Sequence, residues 1–175
     1  MLEFEVGVDM KIEILKLGYL ETNCYLLKKD KNVIIIDPAA DASTIINLCK
    51  NYHVEGILVT HHHDDHIGAL LELEKNYELN HNSFLSNNFH FDVIPTPGHT
   101  HDSLSFYFPK EKILFSGDFI FKNSIGRFDF PESSAIQMKE SLNKISTYPD
   151  DIIIYPGHGP STILGQEKTL FNYYF

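Results

Sequence analysis

One run of six residues, His61-His62-His63-Asp64-Asp65-His66, constrains this chain more than any other part of it. Four of its members, His61, His63, Asp65 and His66, are the imidazole and carboxylate types that bind divalent transition metals. They come directly after Gly56-Ile57-Leu58-Val59-Thr60, which reads as a buried strand. A segment leaving a strand can splay closely spaced side chains around one point, whereas a regular helix sends neighbours i and i+2 to different faces. Taken alone, the run fits a metal site and also a histidine-rich surface loop.

Three later segments narrow that choice. Pro97-Gly98-His99-Thr100, Ser116-Gly117-Asp118 and Pro156-Gly157-His158-Gly159 each follow an expected strand and set one ligand-type side chain beside glycine. Glycine permits the tight backbone that turns a single side chain inward. The chain has ten histidines, and His61, His63, His66, His99 and His158 all sit at such strand ends. His53, His62, His81, His90 and His101 have no such context and read as surface or core residues, with His62 and His101 bordering the site.

The rest of the chain alternates short strands with helices. Strands are expected at 11–17, 23–27 and 33–36, the last stopped by Asp37-Pro38, followed by a helix near 42–51 and the strand 56–60. A helix over 67–77 would turn Ile67, Leu70, Leu71 and Leu73 inward. After a polar loop, strands resume at 89–96, 103–108 and 112–116. A helix over 132–145 carries Ile136, Met138, Leu142 and Ile145 as core candidates, and a last buried strand spans 151–155. Residues 1–10 read as an N-terminal extension and 11–175 as a single domain, a length that suits one core. Strands followed by helices in both halves suggest two packed sheets with helices outside.

Composition excludes several function classes. Lys and Arg number 14 against 24 Asp and Glu, a net charge of −10 with His neutral. Without a cationic field, nucleic acid and anionic membrane surfaces are poor partners, so a small-molecule substrate is expected. No apolar run approaches the roughly 18 residues of a membrane span. The acidic Met1-Leu2-Glu3-Phe4-Glu5 start lacks the features of a secretory signal. Cys24 and Cys49 read as buried thiols in a reducing compartment, and the expected location is cytoplasmic. The pattern assigns no oligomeric state.

The order His61-x-His63-x-Asp65-His66, His99, Asp118, His158 resembles the metallo-β-lactamase superfamily. Thr60-His61-His62-His63-Asp64-Asp65-His66, Thr96-Pro97-Gly98-His99-Thr100 and Pro156-Gly157-His158-Gly159-Pro160 resemble its glyoxalase II-like branch, and Ser124 to Pro131 is similar to a segment of its short single-domain members. The resemblance covers the chain from about residue 11 and implies a four-layer αβ/βα sandwich. It implies two divalent metal ions, zinc first, with iron or manganese also suited. His61, His63 and His99 would hold one ion, and Asp65, His66 and His158 the other. Asp118 would bridge, and Asp65 and Asp118 would be the catalytic carboxylates.

The implied activity is attack of a metal-bridging hydroxide on the acyl carbon of a hydroxyacylglutathione-type thioester. Lys122 and Arg127 are candidate contacts for an anionic substrate carboxylate. The chain runs only to Phe175, short of the C-terminal helical domain with which a full glyoxalase II helps hold glutathione. Alternatives on the same framework are a mono-iron persulfide dioxygenase using His61, His99 and Asp118, and a lactone or β-lactam hydrolase. A non-enzymatic metal-binding module is the remaining class. Gly98-His99-Thr100-His101-Asp102-Ser103 departs from the family pattern, replacing a Pro-Gly turn with His101-Asp102.

Overall fold

Tyr25, Leu26 and Leu27 on one strand and Val33 to Ile36 on the next are all buried, the mark of a sheet covered on both faces. In the computed structural model, which describes residues 2–6 as backbone and 10–175 in full, these runs lie at the heart of a five-stranded sheet. Its strands are β1 (Leu2–Val6), β2 (Met10–Leu17), β3 (Thr22–Lys29), β4 (Asn32–Ile36) and β5 (His53–Leu58), ordered as numbered. Neighbours are antiparallel except β4 and β5, which run parallel and are joined through α1 (Ala42–Cys49). That parallel pair brings Ile36 beside Leu58, so both strands end at the same rim.

Two compact units divide the chain, Met1–His90 and Phe91–Phe175. In the first, Cys24, Leu26, Val33, Ile35 and Ile57 on one sheet face pack with Ile45 and Cys49 of α1 and Leu70 and Leu73 of α3 (Leu70–Tyr77). Within residues 1–10, β1 pairs with β2 from Leu2 opposite Ile14 to Val6 opposite Met10. Met1 and residues 7–9 lie outside the described residues. After α3 the chain returns along the sheet. The Asn82 backbone N–H donates to Ile57 O (2.8 Å), its Oδ1 accepts from Val59 N (2.8 Å), and its Nδ2 donates to Val59 O (3.2 Å).

The expected helix over 67–77 is instead two pieces, α2 (Asp64–Ile67) and α3. The break has a local cause. Ala69 N donates to Pro38 O (2.9 Å), and a Cβ at Gly68 would stand 2.3 Å from Ala39 O, so the backbone is pinned to the segment after β4. Leu71, expected in the core, is 82% exposed because α3 begins only at Leu70 and turns Leu70 and Leu73 inward.

The second unit is a five-stranded sheet in the order β12, β11, β8, β7, β6, from β6 (Asp92–Pro95), β7 (Leu104–Phe108), β8 (Ile113–Gly117), β11 (Ile153–Pro156) and β12 (Thr162–Ile163). The β8–β11 pair is parallel. One face packs Tyr107, Leu114 and Ile154 with Met138, Leu142 and Ile145 of α4 (Ala135–Ile145). On the other, the Phe115 ring lies between Phe108 (5.7 Å, edge-on) and Tyr155 (5.4 Å, stacked). Ile136, expected in this core, is 73% exposed. Residues 132–134, expected as its first turn, are held outside the helix: Ser133 Oγ donates to His99 O (2.6 Å) and Ser134 N to Gly98 O (2.8 Å). Elements not expected from the sequence include β1, the small hairpin of β9 (Ile120–Phe121) and β10 (Ser124–Ile125), the short β12, and α5 (Leu164–Lys168).

Candidate metal centre

Asp37 ends β4 with a φ of 50°, a left-handed conformation that aspartate tolerates better than most side-chain-bearing residues. Its carboxylate, 1% exposed, organises the histidine run. Oδ1 accepts from Thr60 N (2.7 Å), and Oδ2 accepts from Thr60 Oγ1 (2.7 Å) and His66 Nδ1 (2.9 Å). A carboxylate only accepts, so neutral His66 keeps its proton on Nδ1 and presents a lone pair on Nε2. The Thr60 hydroxyl uses its one O–H to donate to Asp37 and therefore accepts from His61 Nδ1 (3.1 Å), which leaves His61 Nε2 as that ring's lone-pair nitrogen.

These nitrogens point toward other ligand-type atoms. His61 Nε2 stands 3.0 Å from His63 Nδ1, and His66 Nε2 stands 3.6 Å from Asp65 Oδ2. The same Asp65 oxygen accepts from Thr22 Oγ1 (2.9 Å) at the start of β3. Bonds of about 2.0–2.1 Å to a shared ion put neighbouring ligand atoms about 2.9–3.4 Å apart, close to these spacings. A separation of 3.6 Å is already past hydrogen-bond length.

The second unit repeats the logic with three residues. Asp118 follows Gly117, whose φ is 51°, and Gly157 N donates to Gly117 O (2.9 Å), so the ends of β8 and β11 are tied where Asp118 and His158 emerge. His99 Nε2 and His158 Nε2 each lie 3.6 Å from the same Asp118 Oδ2. His99 Nδ1 donates to Arg127 O (2.8 Å), again leaving Nε2 for a ligand role. The His99 turn is stitched by Ser103, whose Oγ accepts from Thr100 N (3.2 Å) and lies 2.7 Å from Thr100 Oγ1, in place of a Pro-Gly turn. Space is tight. A Cβ on Gly126 would stand 1.8 Å from Asp118 O, and one on Gly98, at a φ of 148°, would stand 2.5 Å from Met138 Cα.

The seven expected ligands thus fall into two groups, His61, His63, Asp65 and His66 in one unit and His99, Asp118 and His158 in the other. Each group combines imidazole and carboxylate atoms, ligand types suited to zinc, iron or manganese. Arg127 and Lys122 part company. The Arg127 guanidinium is committed to Asp129 through Nε (2.9 Å) and Nη2 (3.0 Å), and lies 4.3 Å from the Phe130 ring centroid. Its hydrogen bond and charge hold the Asp129 carboxyl below the usual aspartate value. Lys122 is exposed on the β9–β10 turn, with no ion pair among the described residues. Asp37, Thr22, Thr60 and the Arg127 carbonyl escaped the sequence reading. Only Asp37 left a signal there, an acidic residue at the end of an otherwise apolar strand.

Known proteins resemble this chain over most of its length. The family described as "Metallo-beta-lactamase superfamily" matches residues 17–81 and 78–158. The hydroxyacylglutathione hydrolase GloC of Haemophilus influenzae is 30% identical over 202 residues, covering 91% of this chain and 95% of that protein. A hydroxyacylglutathione hydrolase of Bartonella tribocorum is 37% identical over 142 residues, covering 69% of this chain but 55% of its own, so this chain spans about half the length of that relative. The crystal structure of the BLEG-1 B3 metallo-beta-lactamase superposes with a TM-score of 0.84 at 31% identity, over 93% of this chain and 99% of that one.

Proposed function

This chain belongs to the metallo-β-lactamase superfamily, and from that premise we propose that it is a metal-dependent thioester hydrolase of the hydroxyacylglutathione type. The observation that carries the reading is the paired donor set, in which His61, His66 and His99 have Nδ1 tied to an oxygen so that Nε2 is left to bind. In this reading His61, His63 and His99 would hold one divalent ion, Asp65, His66 and His158 would hold the second, and Asp118 would be the ligand shared by both. Zinc is the first expectation, with iron and manganese also suited to these ligands. Bound there, the ions supply hydroxide near neutral pH and charge to meet an acyl oxygen. Thr22 fixes the Asp65 carboxylate, Asp37 fixes His66, and the Arg127 carbonyl fixes His99. Lys122, rather than the Asp129-bound Arg127 guanidinium, is the side chain to meet a substrate carboxylate. Two buried thiols, Cys24 and Cys49, fit a reducing, cytoplasmic setting.

Support for the thioester comes from GloC, named a hydroxyacylglutathione hydrolase and aligned with this chain over 95% of its own length. The likeness to BLEG-1 supports β-lactam hydrolysis as the second reading. The deciding experiment pairs metal analysis with turnover of S-lactoylglutathione, a β-lactam and glutathione persulfide by the same preparation. Two ions per chain with thioester cleavage is the expected result. One iron per chain with oxygen uptake on the persulfide, and no thioester cleavage, would overturn it in favour of a dioxygenase; cleavage of the β-lactam alone would establish the second reading.

A further inference from the structure

His62 and His81 lie outside the seven ligands, yet their Nε2 atoms approach to 3.2 Å, with the rings edge-on at 68° and 5.3 Å between centroids. His81 is braced from behind by Glu74 of α3. Glu74 Oε1 accepts both the His81 backbone N–H (2.9 Å) and its ring Nδ1 (2.7 Å). Because the carboxylate only accepts, a neutral His81 carries its proton on Nδ1 and turns the Nε2 lone pair toward His62. A carboxylate behind a histidine, with the far ring nitrogen presented outward, is how proteins orient histidine ligands on transition metals and raise their basicity. Two nitrogens bound to one tetrahedral ion at about 2.0–2.1 Å stand about 3.3 Å apart. The observed spacing already matches that of two nitrogens sharing an ion. The pair is also reachable, with His62 exposed and His81 half-buried.

We propose that His62 and His81, braced by Glu74, form a third and weaker site for a divalent transition metal, Zn²⁺ or Cu²⁺, with water completing the coordination. Imidazole suits both ions, and copper binds such a site more tightly than zinc. With two protein ligands in place of the four of a closed zinc site, it fills after the tight sites. Occupation would tie the segment carrying His61 and His63 to the segment after α3. The site uses none of the seven ligands, so it stands apart from the two-metal reading.

The test uses the untagged, metal-depleted full chain, titrated with Zn²⁺ against a chromophoric chelator, with circular dichroism to verify folding. Wild type is expected to take up one more zinc per chain than His81→Gln, and His62→Gln is expected to lose the same ion. Glu74→Gln should keep the ion but bind it about 10–100-fold more weakly. The difference between chains is what is read, so the result holds whether the central ligands take two ions, one or none. Equal uptake by wild type and folded His81→Gln or His62→Gln would overturn the site, and unchanged affinity in Glu74→Gln would overturn the bracing by Glu74.

Discussion

Asp37 shows how much of a metal site can rest on a residue that binds no metal. Its carboxylate serves three buried donors, Thr60 N, Thr60 Oγ1 and His66 Nδ1. Truncation leaves those donors without an acceptor, each costing about 1–3 kcal/mol. Asp37→Ala is expected to lose at least about 3 kcal/mol in urea unfolding of the metal-depleted protein, and about 10–100-fold in metal affinity by chelator competition. Asp37→Asn should recover part of the stability through Oδ1, but its amide faces the His66 N–H and leaves the affinity low. Retention of full affinity by either variant would contradict the positioning role. The seven candidate ligands could be picked out of the sequence because their residue types, and for His99, Asp118 and His158 a neighbouring glycine, are local features. Asp37 could not, because its role depends on β4 and β5 running parallel and ending together, and no local pattern around Asp37-Pro38 states that.

At the scale of elements, the start of α4 is where the fold meets the His99 turn. Ser134 caps the helix by accepting from Gln137 N (3.3 Å), and its own N–H donates to Gly98 O (2.8 Å). Ser134→Ala is expected to cost about 1 kcal/mol, the ordinary value of a lost cap. Gly98→Ala is expected to cost about 3 kcal/mol or more, since its φ is nearly confined to glycine and the new methyl would meet the α4 backbone. Thermal or urea unfolding of the two variants side by side checks the contrast; similar losses would show that α4 can shift away from the turn. Long apolar-faced helices such as α4 were legible from periodicity. The two-residue strands β9, β10 and β12 were not, because so short a span has no period to read. The α2–α3 break was equally hidden, since it follows from the contact of Gly68 and Ala69 with the segment after β4.

For the whole molecule, two dependences follow. Burial pushes the Cys49 thiol from 9.0 up to about 11, and raises Cys24 as well. A raised thiol stays protonated in the folded chain while the unfolded chain ionises. Its contribution is therefore complete below pH 9 and fades as the pH climbs toward 11. Unfolding free energies from urea titration should fall across that window by up to about 1.4 kcal/mol per pH unit for each thiol, and Cys49→Ala should flatten the fall. A flat wild-type profile would show that the thiols ionise alike in both states. Metal binds the folded chain, so ions at a thousandfold excess over Kd would add about 4 kcal/mol, a rise in Tm on the order of 10 °C that a chelator removes. No helix among the described residues is long and apolar enough to cross a membrane, and the chain carries a net charge of −10.

The three bonds from Asn82 to Ile57 and Val59 have a consequence for self-association. β5 is the outermost strand of its sheet, and an outer strand offers a row of open N–H and C=O groups to any passing chain. Asn82 occupies that row with one residue, using its amide side chain as a second peptide group, so the segment after α3 becomes a decoy strand that ends the ladder. The other sheet blunts its own margins with Pro95 in β6 and the two-residue β12. Asn82→Ala would free Val59 N and O while the backbone N–H at 82 still covers Ile57 O. Self-association that rises more steeply with concentration than in wild type, read by sedimentation velocity, is the expected sign of strand templating that the asparagine side chain restrains.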